Sequence, residues 1–311
     1  MTTMENKYFN HYFKIKKFVD TNNLSNIYIS CNPKAKYFLH KNQPLINWRY
    51  IYTNNNAHEI ICNSKNYDKI NWYYLSINND MKIIKFLKIN KHKIRWDIFN
   101  FNSNSTYLLK DNYDKIIWDQ ISDNSSAIKL LEANKDKINW DYLSCNINAI
   151  ALLETNLDKI NWHYLSRNIN AIKILEANQD KIDWVELSLN INAIELLEAN
   201  KDKIDWYNLS LNTNAIKLLE KNQDKINWFN LSLNTNAIKI LEANQDKIIW
   251  YNLSRNINAI KLLEANQDKI YWDELCNNIN AIKLLKINRD KINWHFLSKN
   301  IKIFYTKKVY L

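Results

Sequence analysis

The sequence predicts an all-α solenoid of about twelve to thirteen repeats of 22–24 residues, with two short helices in each repeat. All Trp residues share one register, spaced by 24 residues over the first two intervals and by 22 thereafter. Ile always stands two residues before the Trp, and Asn stands six residues before and six after it. The twelve are Trp48, Trp72, Trp96, Trp118, Trp140, Trp162, Trp184, Trp206, Trp228, Trp250, Trp272 and Trp294.

A single repeat has too few apolar residues to bury its own Ile, Trp and Leu side chains, which is why the repeats are expected to stack. The Trp row and the Asn rows then have structural roles. We expect Trp140 and its equivalents to be buried in a core layer, rather than to form an aromatic platform for nucleic-acid bases. The Asn rows are expected to cap helices and to form hydrogen-bond ladders between repeats.

The two helices of a repeat are visible in the residues around Trp140. Residues 148–154 contain good helix formers with an apolar stripe, and Asn146 is expected to cap this second helix. The first helix is shorter, around residues 140–144, and a cap at Asn139 is expected to precede it. Asp183 has the same capping role in a sister repeat.

A leucine-rich-repeat-like solenoid is the alternative fold. In that case the Asn row forms an asparagine ladder, and residues 140–144 form a strand. Asp141 stands where that template requires a leucine, which favours the helical fold.

Four segments follow one another along one continuous solenoid domain. Residues 1–21 form a basic amphipathic segment, expected to cap the first repeat; a basic amphipathic helix of this kind also suits a membrane surface or nucleic acid. Residues 22–112 contain degenerate repeats, and residues 113–300 contain regular 22-residue repeats. Residues 301–311 lose the pattern and are expected to form a C-terminal cap.

The chain has no Gly, and this absence excludes Gly-rich phosphate loops and the dinucleotide-binding fingerprint. Turns that need a positive φ are therefore expected to use Asn. The four Cys are far apart in sequence, which predicts free thiols in a reducing compartment, with neither a metal framework nor a cofactor. No apolar run approaches the roughly 20 residues of a membrane span, so we expect a soluble intracellular protein.

Basic charge is concentrated at the two ends of the sequence. Residues 1–112 carry 17 Lys and Arg against 7 Asp and Glu, a net charge of +10. Residues 113–294 carry 22 against 25, a net charge of −3, and residues 295–311 carry four Lys and no acid. Because a basic surface dominates binding to phosphate backbones, we expect no nucleic-acid affinity from residues 113–294.

No set of residues predicts catalysis. The six His have no HExxH spacing, and the carboxylates recur in every repeat, as expected of a structural role. We therefore predict that the protein is not an enzyme.

The repeated phrase NxDKIxWxxLSxNxNAIxLLExN resembles an Asn-rich repeat of uncharacterised proteins from giant viruses of amoebae, the mimivirus relatives. The resemblance covers about residues 22–300 and is strongest in residues 113–294. Pro often follows the Asn in those repeats, whereas Pro33 alone occupies that position here. The resemblance implies a viral origin and a location in the host cytoplasm or the virion, and it brings no activity.

The leading functional prediction is a scaffold for protein–protein interaction. Modular RNA recognition and a structural role in a virion or inclusion are the alternatives. Two positions vary while their surroundings stay fixed, the first and the fifth after each Trp, and their spacing of four suggests one helix face. The predicted partner-binding residues are Val185, Leu189, Tyr207, Leu211, Phe229, Leu233 and Tyr251. In the competing interpretation, neighbouring helices cover this face, and its Leu residues are additional core.

Overall fold

The computed structural model describes residues 11–308, and it confirms the all-α solenoid. The chain is 60% helical, and short helices recur about every 11 residues, which gives two helices per repeat. Trp140–Cys145 is a helix, so the alternative with a strand at this place is wrong. Two compact units are distinguished, Arg95–Ala259 and a second unit formed by the residues before and after this range. Within residues 11–308, no helix is both long and apolar enough to span a bilayer.

In the unit Arg95–Ala259 the α-helices come in pairs, and a short 3₁₀ helix separates each pair from the next. The α-helices are α6 Trp96–Phe99, α7 Thr106–Leu109, α8 Trp118–Ser122, α9 Ile128–Glu132, α10 Trp140–Cys145, α11 Ile150–Glu154, α12 Trp162–Arg167, α13 Ile172–Ala177, α14 Trp184–Leu187, α15 Ile194–Ala199, α16 Trp206–Leu209, α17 Ile216–Glu220, α18 Trp228–Leu231, α19 Ile238–Ala243 and α20 Trp250–Arg255. The 3₁₀ helices are Tyr113–Lys115, Lys135–Lys137, Leu157–Lys159, Gln179–Lys181, Lys201–Lys203, Gln223–Lys225 and Gln245–Lys247.

The other unit combines residues from both ends of the sequence. Its strands are β1 His11–Ile15 and β2 Phe304–Lys308. Its α-helices are α1 Asn26–Cys31, α2 Lys36–Lys41, α3 His58–Ile61, α4 Trp72–Ile77, α5 Met81–Ile89, α21 Ile260–Ala265, α22 Trp272–Asn277, α23 Ile282–Ile287 and α24 Trp294–Leu297. Its 3₁₀ helices are Thr21–Asn23, Gln43–Leu45, Ile51–Thr53, Ser64–Lys69, Lys91–Lys93, Gln267–Lys269, Arg289–Lys291 and Ile301–Ile303.

The first helix of a regular repeat begins at its Trp, and where the preceding residue is Asn or Asp its side chain caps the helix. The Asn139 side chain accepts hydrogen bonds from the backbone N–H groups of Asp141 and Tyr142, at 3.1 and 3.3 Å. Asp183 accepts from the N–H groups of Val185 and Glu186 in the same way, at 3.0 and 3.2 Å. The predicted caps at Asn139 and Asp183 are therefore confirmed.

The core is aliphatic. In the repeat that contains α10 and α11, the buried apolar residues are Ile138, Leu143, Ala149, Leu152 and Leu153. The equivalent residues of the next repeat are buried as well. Helices of four to six residues are unstable in isolation. Here the buried Leu and Ile side chains of adjacent repeats pack together, and this packing stabilises each short helix.

The expectation that the Trp side chains are buried is wrong: all twelve are partly exposed. From Trp118 to Trp228, a Lys of the next repeat lies over each indole ring, with Nζ 4.6 to 5.0 Å from the ring centroid. Lys159 lies over Trp140 in this way. The indole thus packs beneath an alkyl stem and takes part in a cation–π contact at the core's edge.

The buried Asn that stands six residues after each Trp links adjacent repeats. Asn168 Nδ2 donates to the carbonyl oxygens of Ser144 and Asn146, at 3.1 and 3.2 Å, while its Oδ1 accepts from the Asn170 N–H. The predicted ladder is confirmed. The prediction that Asn146 caps the second helix is wrong, because it ends the first helix and the second begins at Ile150.

A second link runs through the buried Ser that stands four residues after the Trp. Ser210 Oγ donates to the Trp206 carbonyl oxygen, at 2.7 Å, and accepts from the Asn227 N–H, at 2.9 Å. The hydroxyl group therefore donates within its own repeat and accepts from the backbone of the residue that directly precedes the next Trp. Asn100 replaces Ser in this role, since it donates to the Trp96 carbonyl oxygen and accepts from the Ile117 N–H.

The turns form without positive φ angles. Within residues 11–308 no residue has a positive φ, so the expectation that Asn adopts such angles is wrong. Asn134, which precedes a 3₁₀ turn, has φ −139° and ψ 53°, and its Nδ2 closes the second helix on the Leu130 carbonyl oxygen. Extended backbone at Ile138 then leads to the next cap. This geometry explains how the repeat folds without Gly.

The basic N-terminal segment is not helical at His11–Ile15, where it forms strand β1. Strand β1 pairs in antiparallel register with β2, with Phe13 opposite Thr306. Alternation of Phe13 and Ile15 with lysines favours a strand over a helix, and Phe18 and Val19 beyond it are buried. Residues 1–10 and 309–311 of the two predicted caps lie outside the described residues. Whether these segments act as caps stays a prediction.

We predict that Ser210→Ala destabilises the contact between its repeat and the next by about 1–3 kcal/mol, since it leaves the Asn227 N–H without its acceptor. Hydrogen–deuterium exchange at the Asn227 amide measures this directly and should be faster in the variant.

Ser210→Cys is the matched control, because Cys276 occupies the same position in another repeat and accepts from the Asn293 N–H. The thiol should retain part of the protection at Asn227. Equal exchange rates in the wild type and the Ala variant would contradict the assigned role of the hydroxyl group.

Candidate protein-binding surface

Exposed apolar side chains occupy the first position after the Trp in four consecutive repeats. The exposed fractions are 50% for Val185, 55% for Tyr207, 50% for Phe229 and 42% for Tyr251. Ile249, directly before Trp250, is 37% exposed. We call these five residues the apolar patch. They lie in the unit Arg95–Ala259, on α14, α16, α18 and α20 and at the N-cap of α20.

The predicted residues at the fifth position differ from those at the first. Leu189, Leu211 and Leu233 are half-buried. Their helices end at Leu187, Leu209 and Leu231, so the argument from one continuous helix face is wrong for these three repeats. The structure thus brings four predicted residues together as exposed side chains and leaves the three Leu residues partly covered.

A set of Asn side chains fixes the backbone under the apolar patch. Asn208 Nδ2 donates to the Val185 carbonyl oxygen, at 3.1 Å. Asn230 and Asn252 donate to the carbonyl oxygens of Tyr207 and Phe229, each at 2.8 Å. Each patch residue from Val185 to Phe229 is therefore bonded through its backbone to the next repeat. This hydrogen bond uses the backbone of the patch residue and leaves its side chain at the surface.

Polar residues at the first position behave differently in the preceding repeats. Asp119 accepts from the Asn139 side chain and Asp141 from the Asn161 side chain, each at 2.9 Å. His163 Nδ1 lies 2.7 Å from Asp183 Oδ2. There the side chain itself joins two repeats, whereas in the apolar patch the neighbouring Asn takes over that contact.

Ile249 is a patch residue that the prediction omitted. The position before the Trp is Asn139, Asn161, Asp183, Asp205 and Asn227 in the five preceding repeats, and it caps the helix in each. Ile249 makes no side-chain cap, and its change from polar to apolar was visible in the sequence. The Asn residues at the second position in three successive repeats were a further visible signal.

An open cavity of about 420 Å³ lies beside the apolar patch, at the repeat that precedes Val185. His163, Tyr164, Arg167 and Glu186 are among its lining residues. Arg167 Nη1 lies 3.9 Å from Glu186 Oε2, a long ion pair in which the Arg167 side chain is exposed and the Glu186 side chain is largely covered. The cavity therefore gives one edge of the patch a polar rim.

Three of the Cys thiols are held in their neutral form by burial. Burial raises the pKa of Cys145, which lines the cavity, and raises the pKa of Cys276 to about 11 and of Cys62 to about 12. All four Cys are free thiols. Among the residues that the structure describes, no three His, Cys, Asp or Glu side chains are grouped to hold a metal ion.

Comparison with known proteins gives no relative: no family model, no curated protein and no solved structure matches the chain.

We predict that Asp183→Asn lowers the pKa of His163. The hydrogen bond that the imidazolium donates to Asp183 raises the pKa of this exposed ring, so the charged contact is present above the lowered pKa of Asp183 and is lost as the pH rises through the raised pKa of His163. A titration of the His163 ring by NMR should show the pKa falling towards its ordinary value in the variant.

Asn retains the helix cap, as Asn139 does in its own repeat, so the Val185 amide resonance is the control for an intact α14. An unchanged His163 pKa would contradict the assigned hydrogen bond.

Proposed function

We propose that the protein is a non-enzymatic repeat scaffold that binds another protein through the apolar patch. The observation that carries this proposal is the run of exposed apolar side chains at one position of four successive repeats. In the three preceding repeats that position is polar and bonded to its neighbour. Scattered apolar residues are normal on a protein surface, but a contiguous row with a polar rim is typical of an interaction site.

The chemistry of the apolar patch suits protein recognition. Tyr207, Phe229 and Tyr251 are aromatic, and aromatic anchors account for much of the binding energy at protein interfaces. The Asn bonds beneath the patch hold its backbone before a partner arrives, which reduces the ordering cost of binding. The half-buried Leu211 and Leu233 provide an apolar base, and His163 and Arg167 stand at the polar edge.

The chain's setting follows from its resemblance to giant-virus repeats. On this proposal the protein is viral, and it acts inside the host cell or within the virion. The resemblance brings no activity, so the patch, rather than the family, supports the binding role.

Modular RNA recognition is the competing function, and the Lys residues that lie over the Trp rings are its structural support. An Asp directly precedes each of these lysines in sequence, as Asp158 precedes Lys159, and acids outnumber bases in residues 113–294. A phosphate backbone would therefore meet a nearly balanced surface, which gives little of the electrostatic attraction that such binding requires.

The double variant Tyr207→Asp with Phe229→Asp tests the proposal. A partner is first captured from lysates of amoebal cells with the full chain and identified by mass spectrometry. Its affinity for the purified variants is then measured by calorimetry. We expect the double variant to bind at least about a hundredfold more weakly, since each lost hot-spot aromatic typically costs 2 kcal/mol or more.

The fold should survive this change, because Asp119 and Asp141 occupy the same position in other repeats. The matched control is Phe101→Asp with Tyr142→Asp, which alters one exposed Phe and one exposed Tyr of the same unit outside the patch. Unchanged affinity of a folded patch variant would refute the proposal. Capture of RNA alone, with an affinity that falls steeply as salt rises, would favour the RNA function.

A further inference from the structure

The first repeat and the last repeat of the chain are hydrogen-bonded to each other. The Ser25 N–H donates to Ser298 Oγ, at 2.7 Å. The Asn32 amide donates to the carbonyl oxygens of Ser298 and Asn300, at 3.2 and 3.4 Å. We call these contacts the end-to-end joint. It lies within one compact unit.

The end-to-end joint repeats the bonds that join consecutive repeats. Asn54 Nδ2 donates to the carbonyl oxygens of Ser30 and Asn32, at 3.1 and 2.8 Å. The Asn47 N–H donates to Ser30 Oγ, at 2.8 Å. The same atoms at the same repeat positions form both contacts. Asn32 bonds to residues 298 and 300 of the last repeat in the way that Asn54 bonds to residues 30 and 32 of the first.

Further contacts reinforce the end-to-end joint. The Tyr28 and His295 rings meet edge to face, with centroids 4.8 Å apart, and Lys299 Nζ lies 5.7 Å from the Tyr28 ring centroid. Strand β1 pairs with β2, and the Lys16 N–H donates to the Ile303 carbonyl oxygen, at 2.8 Å. Asn32, Ser298 and Asn300 are all buried.

The end-to-end joint differs from the other repeat contacts in its covalent connection. Consecutive repeats are tethered by a few residues of backbone, whereas Asn32 and Ser298 are 266 residues apart. The joint can therefore separate while both of its faces stay folded. Separation exposes the Asn32 amide donor on one face and the carbonyl acceptors of Ser298 and Asn300 on the other, and leaving such groups unpaired is costly.

We propose that the end-to-end joint is an intramolecular latch, and that its two faces bind a second copy of this chain when the latch opens. In the bonds of Ser25 and Asn32 to Ser298 and Asn300 the faces complement each other and not themselves, because one face supplies the donors and the other the acceptors. Each copy carries one face of each kind. Two opened copies can therefore exchange partners as a domain-swapped dimer, and more copies can join head to tail.

Closure within one chain prevails at low protein concentration because the tether gives the two faces a high effective concentration, on the order of mM for a favourable span. Association between copies therefore requires both opening and a protein concentration that competes with this value. Neither step depends on the apolar patch, so this proposal stands apart from the proposed function.

The test uses the full chain. Protein at about 1 mM is incubated in urea below its unfolding midpoint, diluted into urea-free buffer, and sized by chromatography with light scattering. We expect the wild type to form dimers and longer species that return only slowly to monomer after dilution, because each joint must open again before a chain can close on itself. In a mixture of isotopically heavy and light chains, cross-links should join Lys34 of one copy to Lys299 of another.

Asn32→Asp is the informative variant. Its carboxylate keeps the local bond from the Lys34 N–H but replaces the amide donor that faces two carbonyl oxygens. We expect the dimer to return to monomer at least about tenfold faster after dilution, because release requires the joint to open and the contact that resists opening is weaker by 1.4 kcal/mol. Asn168→Asp is the matched control, since the same substitution there breaks an internal rung and keeps the bond from Asn170. Its dimer should return to monomer at the wild-type rate.

Ser25→Pro is a second variant that adds no charge. Ser25 has φ −73° and ψ 121°, which proline adopts without strain, and the change removes only the N–H that donates to Ser298 Oγ. Its dimer too should return to monomer faster than that of the wild type. A wild type that remains monomeric although deuterium exchange shows that residues 25–32 open would overturn the proposal. Dimers of both folded variants that persist as long as the wild-type dimer would overturn it as well.

Discussion

The buried Asn six residues after each Trp sets the geometry on which the rest of the repeat depends. Its amide group donates to two carbonyl oxygens of the preceding repeat, and its oxygen accepts a backbone N–H of its own repeat. These carbonyl groups lie at the end of a short helix, where no helical partner is available to them. An Asp lacks the donor and a Leu lacks both functions, which explains why this position never varies.

The position four residues after the Trp requires a hydrogen-bond acceptor, and different residue types can supply it. The acceptor bonds to a backbone N–H of the next repeat. Ser210 supplies a hydroxyl, Asn100 an amide oxygen and Cys276 a sulfur. Tyr52 places its phenol oxygen 2.6 Å from the Asn71 nitrogen in a repeat that is two residues longer. Degenerate repeats thus keep the contact with different side chains.

Periodicity predicted the fold because the apolar positions alone determine which faces stack. It predicted the caps at Asn139 and Asp183 because a polar residue before a helix has few other roles. It could not tell a cap from a ladder at Asn146, since both need the same amide. An invariant Trp suggested the core, yet the Lys of the next repeat completes its environment at the surface. The apolar patch appeared as sequence variation, but the helix end at Leu209, which separates Tyr207 from Leu211, required the structure.

Different positions of a repeat provide stacking and surface variation, and this difference explains why the apolar patch indicates a binding surface. Stacking is provided by the invariant Asn, by the acceptor four residues after the Trp and by the aliphatic core, so the first position after the Trp is free to vary. Where it is Asp or His, its side chain still adds a bond to the next repeat. In the patch, that bond passes to Asn208, Asn230 and Asn252, which reach the backbone instead. Val185, Tyr207 and Phe229 thus make this bond through their backbone, and about half of each side chain stays exposed. A row of exposed apolar groups over successive repeats supports the proposed binding of a partner.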